Sequence, residues 1–479
     1  MHAGQSDRNH DLRHHPAAGD GGRVARTPYP GSPLSIALRG RSRSVSRKPQ
    51  ILLLSLAVTV ALAACSKPNE AAAPAADATA APAATTLTLD ESKLPPVGRF
   101  LIGDLDTTKD ACADFGGFAN GKWLAANAIP GDRTSWGAFE MLDERSSAAQ
   151  QQLAEQAAAD KNATGVEKIV GDLWATGMDE AKINAQGIDP IKGHLSAIDA
   201  LADKDAIAEY LRSSAAKGQN FLFGFGAEAD FKNSAMTMAY AAQGGLGLPD
   251  KEYYLKPENK EKLAAYEAHI AKVLELSGVA AADAAKQAQD VIAFETRLAK
   301  ASKSSEEMSR DVSLFYNPIS LADADKLTPN FSWTKFFESQ GVPPQEKFSL
   351  AIPAFHQEVS KMLGDTDPAV WRNYLRFHTI DGAAPYLSED FVNENFNFYS
   401  KTLRGQKEIK PRWKRVLNTV EGQAGEALGQ MYVKVAFPEE SKAKMETLVE
   451  NLRTALKGRI ENLAWMSDET KQKAIAKWE

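Results

Sequence analysis

Two cysteines in 479 residues exclude a disulfide-stapled scaffold. No stretch reaches the roughly 20 consecutive apolar residues that a membrane-spanning helix needs. The longest apolar run, Ile51–Ala64, has 14 residues. Net positive charge is confined to the first 50 residues, which hold nine Arg/Lys against three Asp/Glu. They carry +6 of a whole-chain net charge of −6, so the rest carries −12. An acidic body of this kind is not a nucleic-acid binder. The one glycine-rich stretch, Gly244–Asp250, lacks both the strand-then-helix spacing of a dinucleotide fingerprint and a Gly-Lys-Ser/Thr end, so it is not a phosphate cradle. What remains is ordinary globular composition, 43% hydrophobic and 25% charged, in a chain long enough for one large lobed unit or more than one domain.

The apolar run has a use other than spanning. It follows the basic stretch Arg39–Lys48 and ends in small residues at Leu62-Ala63-Ala64-Cys65. That is the layout of a signal peptide with a lipoprotein cleavage box, and it predicts a lipid on Cys65 after removal of residues 1–64. A buried core helix is the alternative, but the Ala/Pro-rich tract that follows offers nothing to pack over it. Residues 1–49 read as a basic, disordered leader, residues 50–64 as the signal core and residues 65–96 as an Ala/Pro-rich linker. His2, His10, His14 and His15 lie in the leader and read as composition, not as a metal site.

From Phe139 onward the pattern is helical. Met141–Ala159 has strong helix formers and no Gly or Pro. Val166, Ile169, Val170, Leu173 and Trp174 fall on one helical face. Further helices are expected over Ile191–Leu201, Asp203–Ser214, Glu258–Leu276, Ala280–Lys300, Leu321–Leu327, Trp371–Thr379, Glu389–Leu403, Arg412 to about Val435, and Ser441–Leu463. A last helix is capped by Ser467 or Asp468. Phe221–Ala241 alternates and turns at Asp230–Ser234, which predicts a small hairpin. The fold class is mainly α: a large multi-helix lobe with a minor β-hairpin.

Asp110–Phe139 concentrates residues that fix a backbone. Gly116, Gly117 and Gly121 permit tight turns, and Phe115, Phe118, Trp123, Trp136 and Phe139 bring apolar area. On physics alone it reads as an ordered loop under a helical core, with the aromatics as wedges. The order Cys112, Asp114, Phe115, Asn120, Gly121, Trp123, Ile129, Pro130, Arg133, Trp136, Gly137, Phe139 resembles the opening of the neprilysin family of zinc endopeptidases. Gly116 departs from it, since the family usually has an aromatic there. Further matches are Gln243-Gly244-Gly245-Leu246-Gly247-Leu248-Pro249-Asp250, Tyr316-Asn317-Pro318, Pro329-x-Phe331-x-Trp333, Gly429-Gln430-Met431-Tyr432-Val433, Phe437-Pro438-Glu439 and Trp465-Met466. The resemblance covers about Asp110 to Glu479 and implies that residues 97–479 form the family's N-terminal helical domain.

The family's chemistry needs His-Glu-x-x-His on a helix: two imidazoles one turn apart bind zinc and the Glu serves the attacking water. Four residues beyond His194, His269, His356 and His378 stand Ile198, Val273, Ser360 and Gly382, so no such motif is present. Each of these histidines reads as a surface or satisfied core residue. His356 and Glu358 would point about 160° apart on a helix, poorly placed to share a metal. The resemblance implies that the substrate-binding Asn-Ala segment, the zinc helix and the third acidic ligand lie beyond Glu479. It also implies that Cys112 pairs with a cysteine near the family's C-terminus. The expectation is therefore the N-terminal cap lobe, on the order of two-thirds, of a zinc metalloendopeptidase acting on oligopeptides. It would be lipid-anchored at the bacterial cell envelope, facing the periplasm or exterior, with zinc in the full-length enzyme and none bound here. The alternative is a non-catalytic, lipid-anchored helical peptide-binding or scaffold protein.

Overall fold

The computed structural model of the chain describes residues 86–96, 101–343 and 345–479. The leader, the signal core, Cys65 and most of the linker lie outside the described residues. Six helices come first: α1 (Phe115–Ala126), α2 (Ala138–Ala159), α3 (Gly165–Met178), α4 (Glu180–Gln186), α5 (Lys192–Asp199) and α6 (Lys204–Ala215). The hairpin β1 (Phe223–Asp230) and β2 (Asn233–Gln243) follows, then α7 (Glu252–Leu255), α8 (Lys260–Leu276), α9 (Ala281–Ala301) and α10 (Ser305–Arg310). Next come β3 (Pro318–Ile319), α11 (Leu321–Leu327), α12 (Trp333–Ser339), β4 (Phe348–Leu350), α13 (Pro353–Asp365), α14 (Pro368–Ala383) and α15 (Glu389–Asn395). A π-helical stretch, Phe396–Thr402, continues α15, and α16 (Arg412–Ala436), α17 (Glu439–Asn462) and α18 (Asp468–Trp478) close the chain. Most of the expected helices are present within a few residues, and the caps are those the sequence offers. Asp203 accepts from the backbone N–H groups of Asp205 and Ala206, and Ser467 from that of Thr470. Among the described residues no helix is long and apolar enough to cross a membrane.

The described residues form two compact units. The first comprises residues 203–260 and 293–366. Its sheet has the order β1-β2-β4-β3: β1 and β2 are antiparallel, β2 and β4 parallel, β4 and β3 antiparallel. The hairpin is as expected. The two short strands are additions, because runs of two and three residues leave no period to read. Phe223, Trp333, Phe336, Phe337, Phe348 and Phe355 make its core, with ring centroids 5.1 Å apart for Phe223 and Trp333 and 4.9 Å for Phe225 and Phe336. Each such ring contributes roughly 1.5–3 kcal/mol by leaving water.

The second unit comprises the described residues up to 202 together with 261–292 and 367–479. Leu153, Ala154 and Ala157 of α2, Val170 and Trp174 of α3, and Val416, Leu417, Val420, Leu428 and Met431 of α16 form one core. Leu87 packs against it, Thr88 bonds Gln156 and Asp90 bonds Gln152, so the end of the predicted linker lies along α2. Ile169, expected on the buried face of α3, is 51% exposed, because Gly171, and not Ile169, meets the neighbouring helix. A Cβ on Gly171 would stand 2.6 Å from the Ala157 carbonyl oxygen.

The opening stretch differs from expectation. Phe115–Ala126 is a helix, because Asp114 caps it and Ala119, Ala125 and Ala126 favour helix, while residues 127–137 keep the expected loop. Phe115 and Phe139 are not wedges, at 69% and 77% exposed, whereas Phe118, Trp123 and Trp136 are half-buried; α1 buries no residue fully. Helix α17 also buries nothing. Met445, Leu448, Val449, Leu452 and Leu456 recur at helical spacing and are 48–62% exposed. Helix α18 leans on it through Trp478, whose indole N–H donates to the Arg453 carbonyl at 3.0 Å.

The close α2–α3 approach yields a test. Gly171→Ala should lower unfolding stability by about 1–3 kcal/mol, since the nearest neighbours of a new methyl are backbone atoms of Ala157 and Ala158 that cannot rotate away. Denaturant titration reads it, and an unchanged midpoint would contradict the packing described.

Candidate functional site

The turn Pro130–Arg133 leads from α1 into α2 and is closed by Arg133 N–H donating to the Pro130 carbonyl at 3.1 Å. The Gly131 carbonyl accepts from the N–H groups of Lys407 and Glu408, which ties this turn to the segment before α16. The junction borders an open cleft of ≈ 440 Å³ lined by Pro95, Pro96, Pro130, Trp136 and Met141, with Asp132, Glu144 and Lys414 at its polar side. Arg145 holds the proline wall by donating to the Pro95 carbonyl at 2.7 Å.

The polar side is an ion network. Glu144 accepts from Arg133 at 2.5 and 2.9 Å and from Lys414 at 2.7 Å. Lys414 also reaches Asp132 at 3.1 Å, and Arg133 reaches Asp143 at 2.9 Å. Burial disfavours the Arg133 cation, but Glu144 and Asp143 outweigh it and hold the guanidinium charged. The charged groups satisfy one another, so the cleft offers an apolar, shape-selective wall more than an open charge.

The other motif residues hold the frame. Cys112 is an exposed free thiol, Asp114 accepts from Gly117 N–H at 2.8 Å, Asn120 is exposed, Gly121 lies near Asp106 and Trp123 is half-buried. In the first unit Gly245 adopts φ +82°, which a side chain would resist. Gly247 N–H donates to Glu295 at 3.2 Å, and Leu246 and Pro249 line a small polar pocket of ≈ 180 Å³. Its lining residues are tied to one another: Gln243 bonds the Lys303 backbone and Asp250 accepts from Ser305 N–H at 2.7 Å. Tyr316 donates to Asp230 at 2.8 Å, Asn317 N–H to Ser349 at 2.8 Å, and Pro318 opens β3. Tyr432 packs on the core of α2, α3 and α16, whereas Trp465 is 77% exposed.

The residues present do not fit a zinc ion. Among the described residues no three His, Cys, Asp or Glu side chains converge to hold a metal. His194 is exposed, and His378 is half-buried against Tyr374. His269 is buried with Nδ1 2.8 Å from Glu394 and Nε2 3.0 Å from Asp381, and its ring stacks on Phe398. Burial pushes its pKa down, but the two carboxylates more than reverse this and leave it raised. Burial pushes the Asp381 carboxyl up, while His269 and Tyr399 pull it below its usual value. Glu358 is taken by Arg297 at 2.5 Å. His356 corrects the expectation of satisfied histidines: it sits among Phe223, Trp333 and Phe355, and its Nε2 has no partner.

Comparison with known proteins gives a consistent picture. A profile described as peptidase family M13 matches residues 111–479. The chain is 29% identical to mouse endothelin-converting enzyme 1 over 392 residues, 79% of this chain and 50% of that protein. It is 30% identical to rat endothelin-converting enzyme-like 1 over 397 residues, 79% of this chain and 51% of that protein. A crystal structure of the Mycobacterium tuberculosis zinc metalloprotease with an inhibitor superposes with TM-score 0.73 and 31% identity, over 80% of this chain and 58% of that one. PepO of Lactobacillus rhamnosis, at 22% identity and TM-score 0.67, shares the fold. The chain spans about half the length of the curated relatives it matches.

Burial of neutral His356 sets a pH dependence. Its pKa is lowered to about 4, by burial above all, from an ordinary 6.5. A folded-state value below the unfolded one means stability that is complete above pH 6.5 and is lost as pH falls toward 4. The loss by pH 4.5 should be about 2–3 kcal/mol. A His356→Leu variant compared with wild type by denaturant titration at pH 7 and 4.5 should lack that component, and parallel losses in both would contradict it.

Proposed function

The chain belongs to peptidase family M13, the neprilysin family, and we propose that it forms the N-terminal cap lobe of a zinc endopeptidase that hydrolyses oligopeptides at the bacterial cell envelope. The observation that carries this reading is the apolar row Met445, Leu448, Val449, Leu452 and Leu456 on α17, which is bare, as are Phe115 and Phe139 of the opening motif. In a chain spanning half of its relatives, such faces are the natural seat of further polypeptide. Zinc, when held by that further segment, would supply Lewis-acid and water-activating chemistry. This chain's own part is to bind and exclude: the apolar cleft at Trp136 and Met141 receives substrate side chains, and the helical lobe limits access by size. Cys65, lipidated, would tether the lobe, and residues 66–96 would space it from the membrane surface. An intact peptide across Ala64–Cys65 in membrane-extracted protein would remove the tether from this account.

The test compares this chain with a polypeptide that continues into the segment its relatives possess. The longer protein should bind one zinc and cleave a quenched fluorescent oligopeptide in a chelator-sensitive way. This chain alone should do neither. Stoichiometric zinc with chelator-sensitive cleavage by this chain would overturn the proposal, as would a longer protein that never cleaves.

A further inference from the structure

Strand β1 ends its sheet. Its partner β2 covers one side, and among the described residues no strand pairs with the other. The opposite edge, β3, is two residues long and begins with Pro318, so it is closed to pairing. In contrast β1 has eight residues, Phe223–Asp230, with no Lys and no Pro. Its guards are the register shift at Ala229/Asp230 and the negative charges of Glu228 and Asp230.

Which backbone groups face outward follows from the ladder. Ala351 N–H donates to the Ala241 carbonyl at 2.9 Å, so Ala241 is turned toward β4. Neighbouring residues of a strand alternate in direction, so Tyr240 and Ala242 turn toward β1 and meet Gly226 and Gly224 in register. Phe225 and Ala227 of β1 therefore direct their N–H and C=O groups away from the sheet. Ala227 and Gly226 are exposed.

The side chains along this edge have their own pattern. Phe223 and Phe225 face the aromatic core. The other face presents Gly224, Gly226 and Glu228. A Cβ added at either glycine meets nothing within 4 Å, so that face is open beside the backbone. Glu228 follows, and its Oε1 is buried without a hydrogen-bond partner. A buried carboxylate oxygen left unpaired is costly, and a cationic group would relieve it.

We propose that the outer edge of β1 is a strand-addition site for an extended basic peptide. In the antiparallel arrangement an Arg or Lys stands opposite Glu228, and two large side chains fill the room opposite Gly226 and Gly224. A second copy of the chain fits less well, because edge-to-edge pairing would bring Glu228 and Asp230 of both copies onto one ladder. Binding here requires neither zinc nor cleavage, so it stands apart from the cap-lobe reading.

The experiment uses the full chain and a fluorescent peptide carrying Arg-Thr-Phe-Thr-Phe between Thr-Ser flanks, read by anisotropy. Wild type should bind saturably. Ala227→Pro removes an outward N–H without touching the ladder to β2, and should weaken binding about tenfold or more. Glu228→Lys should weaken it similarly and recover a peptide with Glu in place of Arg, which keeps the test valid if the proline variant fails to fold. No saturable binding by wild type, equal affinity in both variants, or a dimer dissolved by Ala227→Pro in place of peptide uptake would each overturn the proposal.

Discussion

The second unit depends on one contact, the approach of α3 to α2 at Gly171. Without a side chain there, α3 comes against the Ala157 carbonyl and the two helices share Leu153, Ala154, Val170 and Trp174 as a seam for α16. Once α16 is seated, Lys414 is delivered to Glu144 and Asp132, and the turn after α1 has a charged partner more than 250 residues away in sequence. The Trp136 cleft is thus a product of helix packing, not of the motif that lines it. Partners are mutual in this network, and removing one would strand a half-buried charge.

A second constraint acts in the opposite direction. A helix such as α17, with five apolar residues on one face and none buried, gains little from its surroundings in this chain. Amphipathic helices draw most of their stability from packing the apolar face. The same applies to α1, whose cap is in place while Phe115 faces outward. The chain therefore combines two well-packed units with apolar residues left exposed on α17 and α1.

Much of this was legible in the sequence. Long periodic segments such as Glu258–Leu276 and Ala280–Lys300 declare themselves because every turn repeats the same information. Asp203 and Ser467 declare caps for a local reason. The hairpin was visible in the alternation of Phe223 and Phe225. Strand β4 was not, because Phe348–Leu350 is shorter than any readable period and is fixed only by pairing with β2. The exposure of Phe115 and Phe139 was not, because large apolar residues signal burial without saying against what. The cleft could not be foreseen, since Pro95, Trp136 and Lys414 meet only in three dimensions. The aromatic setting of His356 was likewise hidden, whereas the lack of a one-turn histidine pair was plain.

We propose that the exposed apolar residues of α17 and α1 are covered by further polypeptide. Hydrogen exchange measures this most directly, through amides of Glu439–Asn462 and Phe115–Ala126 in this chain and in a longer one that continues into the segment its relatives possess. The account predicts rapid exchange in this chain and at least about tenfold slower exchange in the longer one, with the α2–α3–α16 core unchanged. Equal protection of α17 and α1 in both would contradict it.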